Sequence, residues 1–135
     1  MMRYIDRRGN ACYYVSAGKG LQNGGRALAL SADLLRGYTD AIILRQLAQS
    51  DSYGYQLGKQ VAEISHGSFE MKEATLYTAF RRLEGAGLIR SYWGDEGSGA
   101  RRRYYTITPE GQERLRASVE TWRETRGLIN RLLEE

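Results

Sequence analysis

Glu73-Ala74-Thr75-Leu76-Tyr77-Thr78-Ala79-Phe80-Arg81-Arg82-Leu83-Glu84-Gly85-Ala86-Gly87-Leu88-Ile89, followed a few residues later by Arg101-Arg102-Arg103-Tyr104-Tyr105-Thr106-Ile107-Thr108-Pro109, decides the fold of this chain. Leu76, Phe80 and Leu83 stand at i, i+4 and i+7, one apolar stripe on a helix over 73–86. They leave Thr75, Tyr77, Thr78, Arg81 and Arg82 pointing outward or sideways. Gly85-Ala86-Gly87 ends the helix, because glycine just past a helix adopts positive φ at little cost. Residues 88–93 then alternate apolar and polar, Gly94-Asp95-Glu96-Gly97-Ser98-Gly99 makes a flexible tip, and residues 101–106 return as a second strand. A basic, hydroxyl-bearing helix running into a glycine-tipped, arginine-heavy hairpin reads as a winged helix-turn-helix, mainly α with a small β wing.

Upstream, Leu34, Leu35, Tyr38, Ile42, Ile43 and Leu47 mark one apolar stripe on a first helix of about four turns that starts at Asp33. Ser50-Asp51-Ser52-Tyr53-Gly54 is turn chemistry, with Asp51 or Ser52 available as an N-cap. A second helix takes Tyr55 through Ser65 and buries Leu57, Val61 and Ile64, with Gly67 closing it and residues 68–72 turning into the third. Downstream, Thr108-Pro109-Glu110-Gly111 opens a last helix, Thr108 as N-cap and Pro109 where its missing N–H is harmless. Its apolar positions Leu115, Val119, Trp122, Ile129 and Leu132 or Leu133 run for about 25 residues, a stripe too long for so small a domain to cover. A second copy of the chain is the expected cover, alongside partial packing back onto the first helix.

Residues 1–32 hold glycines at 9, 18, 20, 24 and 25 and no sustained helical period, so they read as a mobile or loosely docked extension, or as sequence from an upstream start codon. Tyr13-Tyr14-Val15 suits a short strand, but nothing that follows suggests a partner. The expected organisation is therefore an extension at 1–32, a DNA-binding domain at 33–107 and a dimerisation helix at 108–135.

The chain has 135 residues and a formal net charge of +4, all of it contributed by residues 1–32, so residues 33–135 sum to zero. Within them residues 72–104 carry +3, which concentrates positive charge on the third helix and hairpin. Local clustering matters more than net charge where fields are screened over about 10 Å. Duplex DNA is the implied partner. Lys72, Thr75, Tyr77, Thr78, Arg81 and Arg82 of the helix and Arg101, Arg102 and Arg103 of the returning strand are the candidate contacts. Arginine forks onto guanine O6 and N7 or grips phosphate, threonine meets phosphate or a thymine methyl, and a tyrosine hydroxyl suits phosphate. Two of these have a structural alternative: Tyr77 packing its ring inward, and Arg82 pairing with a neighbouring helix.

Apolar runs such as 27–30 and 41–44 fall far short of the roughly 20 residues that span a bilayer, and no secretory signal is evident. With a single cysteine, Cys12, a reducing cytoplasmic setting is expected. One His66 and one Cys12, distant in sequence, give poor support to a hydrolytic triad or a zinc site, so catalysis and a cofactor are not expected. A winged-helix module that docks proteins and never meets DNA is the rival reading, separable by the salt dependence of DNA binding. A MarR-type regulator would need extra helices at both ends, which residues 1–32 do not suggest.

Leu34-Leu35-Arg36-Gly37, Tyr53-Gly54-Tyr55, the run from Glu73 to Tyr77 with Arg82 to Ile89, and Arg102-Arg103-Tyr104-Tyr105 with Thr108-Pro109-Glu110-Gly111 together resemble the PadR family of bacterial transcriptional regulators. The likeness keeps motif order and spacing over roughly residues 33–134. It implies a winged-helix homodimer, usually a repressor, released from its operator by a small molecule or stress signal. The single C-terminal helix resembles the short-tailed branch, in which that helix and the first carry dimerisation. Members similar to this branch bind flat aromatic compounds between subunits against a tryptophan whose counterpart here is Trp122. The resemblance therefore marks Trp122, Val119, Arg126 and Tyr38 as effector-binding candidates, with Ser118, Ile129, Leu34 and Ile42 nearby. Thr78 stands where relatives usually carry proline, and the basic residues 1–32 are longer than is typical, a candidate arm for a minor groove.

Overall fold

The computed structural model describes residues 2–5, 11–14, 35–94 and 101–134. Two short strands, β1 (Met2–Ile5) and β2 (Ala11–Tyr14), pair antiparallel with Met2 opposite Tyr14 and Ile5 opposite Ala11. The strand expected at Tyr13-Tyr14 thus exists, but its partner precedes it in sequence rather than following it.

The first helical stripe is interrupted. A 3-10 turn at Arg36–Tyr38 leads into α1 (Thr39–Gln49), so the regular helix begins later than Asp33, a position outside the described residues, as is Leu34. Ile43, Leu44 and Leu47 of α1 are buried. The next turn also departs from expectation. The N-cap of α2 (Gly54–Ile64) is Tyr53 and makes no side-chain cap bond. Ser52 is drawn into the sheet instead, exchanging backbone hydrogen bonds with Tyr105 at 3.2 and 2.8 Å, while its hydroxyl donates to Gln56 Oε1 at 3.0 Å. Ser52 therefore lies one residue before the N-cap, with its hydroxyl engaged by Gln56.

Leu57 and Val61 of α2 are buried as expected, but Ile64, the last residue of the helix, is 63% exposed. His66, not Gly67, takes the first left-handed position after this helix, with φ of 53°, and Gly67 follows at 76°. Amide bonds from His66 to Glu63 O and from Gly67 to Ala62 O close the cap.

Helix α3 (Glu73–Gly85) buries Leu76, Ala79, Phe80 and Leu83. Its end is the glycine cap expected: Gly87 has φ of 76°, its amide bonds Glu84 O, and Leu88 N–H reaches Leu83 O at 3.0 Å. Strands β3 (Ile89–Gly94) and β4 (Arg102–Ile107) form the hairpin, Ile89 opposite Ile107 and Gly94 opposite Arg102. The expected tip falls outside the described residues. Tyr105 stacks on Phe80 with ring centroids 4.0 Å apart, seating the hairpin on α3.

Helix α4 (Pro109–Glu134) starts at a knot of hydrogen bonds. Thr108 Oγ1 accepts from Gly111 N–H at 3.0 Å and donates to Gly87 O at 2.7 Å, while Thr108 N–H bonds Leu88 O at 3.0 Å. One threonine therefore ties the end of α3, the start of β3 and the start of α4 together. Leu115 is buried against α1, and Val119 packs at the core edge. Farther along, Leu128, Ile129, Leu132 and Leu133 are exposed.

Candidate nucleic-acid interface

At about 100° per residue, burial of Leu76, Ala79, Phe80 and Leu83 turns the opposite face of α3 to solvent, centred on Thr78 and Arg81. Thr75 and Lys72, the N-cap residue, are also exposed. Among the described residues, Lys72 and Arg81 make no ion pair, so their charges are available to an anion. The two flanks of the helix behave differently. Tyr77 leans toward α2: its ring meets Phe80 edge-on at 6.1 Å, and a Cβ on Gly54 would lie 3.3 Å from its hydroxyl. It is still 43% exposed, so the ring packs beside Phe80 without being buried. Arg82 turns the other way and forks onto Asp40 of α1, Nε donating to Oδ2 at 3.2 Å and Nη2 to Oδ1. The Asp40 carboxylate raises the Arg82 pKa further above its ordinary value. Arg82 thus pairs with a neighbouring helix, one of the two roles open to it.

The hairpin has two unlike faces. Ile89, Ser91 and Trp93 with Arg103, Tyr105 and Ile107 form the inner face, and alternation sends Arg102 and Tyr104 outward. On the inner face Arg103 Nη2 donates to Ser91 Oγ at 2.8 Å and to Glu84 Oε1 at 3.4 Å, while Ser91 Oγ donates to Glu84 Oε2 at 2.6 Å. On the outer face Tyr104 stacks on Tyr92 and meets Tyr53 edge-on, and the Arg102 guanidinium lies 4.8 Å over the Tyr53 ring. The Tyr92 hydroxyl donates to Asp51 at 2.6 Å, which pushes its pKa up to about 12. Arg101, beside the tip, lies 5.4 Å over the exposed Trp93 ring. Burial pushes the Tyr105 hydroxyl up as well.

Away from this surface, α1, the end of α2 and α4 enclose an apolar groove of about 360 Å³. Tyr38 and Trp122 form one wall, edge to face at 5.4 Å, and Val119 and Ile42 also line it. Of the effector candidates, Arg126 is not among the lining residues, whereas Arg45, Val61 and Phe69, which carry no sign of this role in sequence, are. They join it because the end of α2 and α4 border the same groove, which periodicity along one helix does not encode.

Three helices, an exposed outer face on the third and a hairpin seated beside it define the winged helix-turn-helix class. The model of the transcriptional regulator PadR-like family matches residues 43–117. A transcriptional regulator of Clostridium thermocellum is 44% identical, with a TM-score of 0.71 over 76% of this chain and 100% of that one. A PadR family transcription regulator of Clostridium difficile is 39% identical, with a TM-score of 0.64 over 71% and 98%. Bacillus subtilis PadR, solved in complex with operator DNA, shares the fold at 21% identity, with a TM-score of 0.56 over 61% of this chain and 46% of that one. The chain belongs to the PadR-like family of transcriptional regulators. No described helix is long and apolar enough to cross a membrane.

Proposed function

We propose that the protein is a homodimeric repressor that reads a near-palindromic operator in duplex DNA and lets go of it when a small aromatic effector binds. The observation that carries this reading is the outer face of α3: Lys72, Thr75, Thr78 and Arg81 are exposed side by side, and the two helix cations have no acidic partner among the described residues. Residues 33–107 act as the DNA-binding domain and α4 as the dimerisation helix, with residues 1–32 an N-terminal extension. Each subunit sets α3 into a major groove, the two grooves one turn or roughly 34 Å apart. Arg101 and Arg102 of the wing meet the phosphate backbone.

Exposed Leu128, Ile129, Leu132 and Leu133 on a 26-residue helix support pairing through α4. The groove beside Trp122 is the candidate effector site. A compound held there presses on Tyr38 and Val119, hence on the packing of α4 against α1, and a change of a few ångströms in the separation of the two α3 helices breaks register. The reading places the protein in the cytoplasm with no cofactor. The test is fluorescence anisotropy against DNA immediately upstream of the protein's own gene, with planar aromatic cations and phenolic acids as trial effectors. Binding that is salt-sensitive and abolished by one compound is expected. A folded dimer that binds no duplex at low salt would refute the reading in favour of protein docking.

A further inference from the structure

Arg103 is one of three consecutive wing arginines, all candidates for DNA contact by residue type, yet its surroundings differ from those of its neighbours. Both oxygens of Glu84 are occupied, Oε2 by the Ser91 hydroxyl and Oε1 by Arg103, and the Arg103 guanidinium also bonds Ser91 Oγ. These three side chains come from α3, β3 and β4 in turn. The stack of Tyr105 on Phe80 joins the hairpin to α3 nearer the core. Ser52 on Tyr105, Tyr92 on Asp51 and Tyr104 on Tyr53 tie the hairpin to the turn before α2, but on the α3 side the Tyr105 stack alone would let the wing tilt against that helix. A second attachment farther toward the tip, at Glu84, removes that freedom and fixes the angle between the wing and α3. Ser91 lies opposite Tyr105, and Arg103 lies opposite Trp93, so the cluster sits between the seated root of the hairpin and its free end.

We infer that Glu84 is a positioning residue for DNA binding: with Ser91 and Arg103 it sets the pitch of the wing relative to α3, and Arg103 serves this brace instead of contacting phosphate. The inference rests on the DNA-binding reading above. It also opposes simple electrostatics, which gives a clean sign. A carboxylate on a DNA-facing helix repels phosphate, so if Glu84 did nothing else, Glu84→Gln would tighten binding. As a brace, its loss frees the wing, and the cost of reordering it appears on every binding event.

The experiment measures affinity for short fluorescein-labelled duplexes tiled across the DNA upstream of the protein's own gene, over a range of salt, with the full chain. Glu84→Gln is expected to weaken binding about tenfold, the scale of one charged hydrogen bond. Arg103→Gln is expected to weaken it similarly with the salt slope unchanged, and Arg103→Lys, which keeps the charge but not the fork that reaches both partners, does not restore it. The double variant is no weaker than either single one. A second readout needs no DNA: in a Trp122→Phe background, which leaves Trp93 the chain's one indole, Glu84→Gln raises the rotational mobility of Trp93 in time-resolved anisotropy. Binding by Glu84→Gln as tight as wild type or tighter overturns the inference. So does a salt slope that falls by about one in Arg103→Gln and returns in Arg103→Lys, the signature of a phosphate contact. A wild type that binds no duplex refutes the DNA-binding reading and leaves the brace to be decided by Trp93 mobility alone, which unchanged would overturn it.

Discussion

Replacing Gly111 with alanine should destabilise the protein even though Gly111 lies inside a helix, where alanine is ordinarily favoured by about 1 kcal/mol. A Cβ there would sit 2.1 Å from Leu88 O, 2.7 Å from Ile107 Cγ1 and 3.1 Å from Leu88 C. Ordinary contact is about 3.5 Å, so α4 must retreat by roughly 1 Å, against backbone that cannot swing aside. That retreat acts on three hydrogen bonds at once: Thr108 N–H to Leu88 O at 3.0 Å, Gly111 N–H to Thr108 Oγ1 at 3.0 Å and Thr108 Oγ1 to Gly87 O at 2.7 Å. At about 1 kcal/mol each, breaking them costs about 3 kcal/mol, and strain of about 1 kcal/mol or more adds to it. After the propensity gain the net loss of stability is about 2–4 kcal/mol. Urea denaturation followed by circular dichroism at fixed protein concentration measures it. Gly85→Ala, where a Cβ meets nothing within 4 Å, is the control and should cost no stability. A Gly111→Ala variant as stable as wild type would refute the packing of α4 on Leu88.

His66 occupies a left-handed conformation that suits glycine, so His66→Gly should stabilise the fold by about 1 kcal/mol in the same denaturation assay, and a destabilised variant would contradict the cap. Tyr92 should titrate near 12 by site-resolved NMR because its hydroxyl is held by Asp51, and Asp51→Asn should return it toward 10. Its folded-state pKa lies above the unfolded value, so this contribution to stability is complete below about pH 10 and is lost as pH rises to about 12. Arg81→Gln should weaken DNA binding and lower the salt slope by about one for each phosphate that Arg81 neutralises, whereas Arg82→Gln should change the slope less, since Asp40 already holds that guanidinium.

The third helix is legible in the sequence almost to the residue, since Leu76, Phe80 and Leu83 leave no other periodicity and Gly87 marks its end. The same holds for Thr108 and Pro109 at the start of α4, where capping chemistry is local. Arg36–Tyr38 reads as continuous helix because a 3-10 turn keeps side chains at nearly the same spacing as the first turn of an α-helix. Ser52 reads as a cap because strand pairing with Tyr105, about fifty positions away, leaves no local trace in sequence. The candidate interface is legible as a set of residue types and not as a set of free charges. Arg82 finds Asp40 and Arg103 finds Glu84 only once the helices pack, and neither acid carries a local sign of that role. Gly111 looks like an ordinary first-turn residue until the approach of Leu88 O gives it a reason.

The most direct test of the account is the salt dependence of wild-type binding to duplexes from upstream of the protein's own gene. With Lys72, Arg81, Arg101 and Arg102 of each of two subunits on phosphate, as proposed, neutralising about eight phosphates gives a fall of about ten-thousandfold in affinity between roughly 50 and 200 mM salt, with one duplex bound far more tightly than the rest. Affinity that is flat in salt, or equal across all duplexes, would contradict a regulator that reads an operator through α3 and the wing.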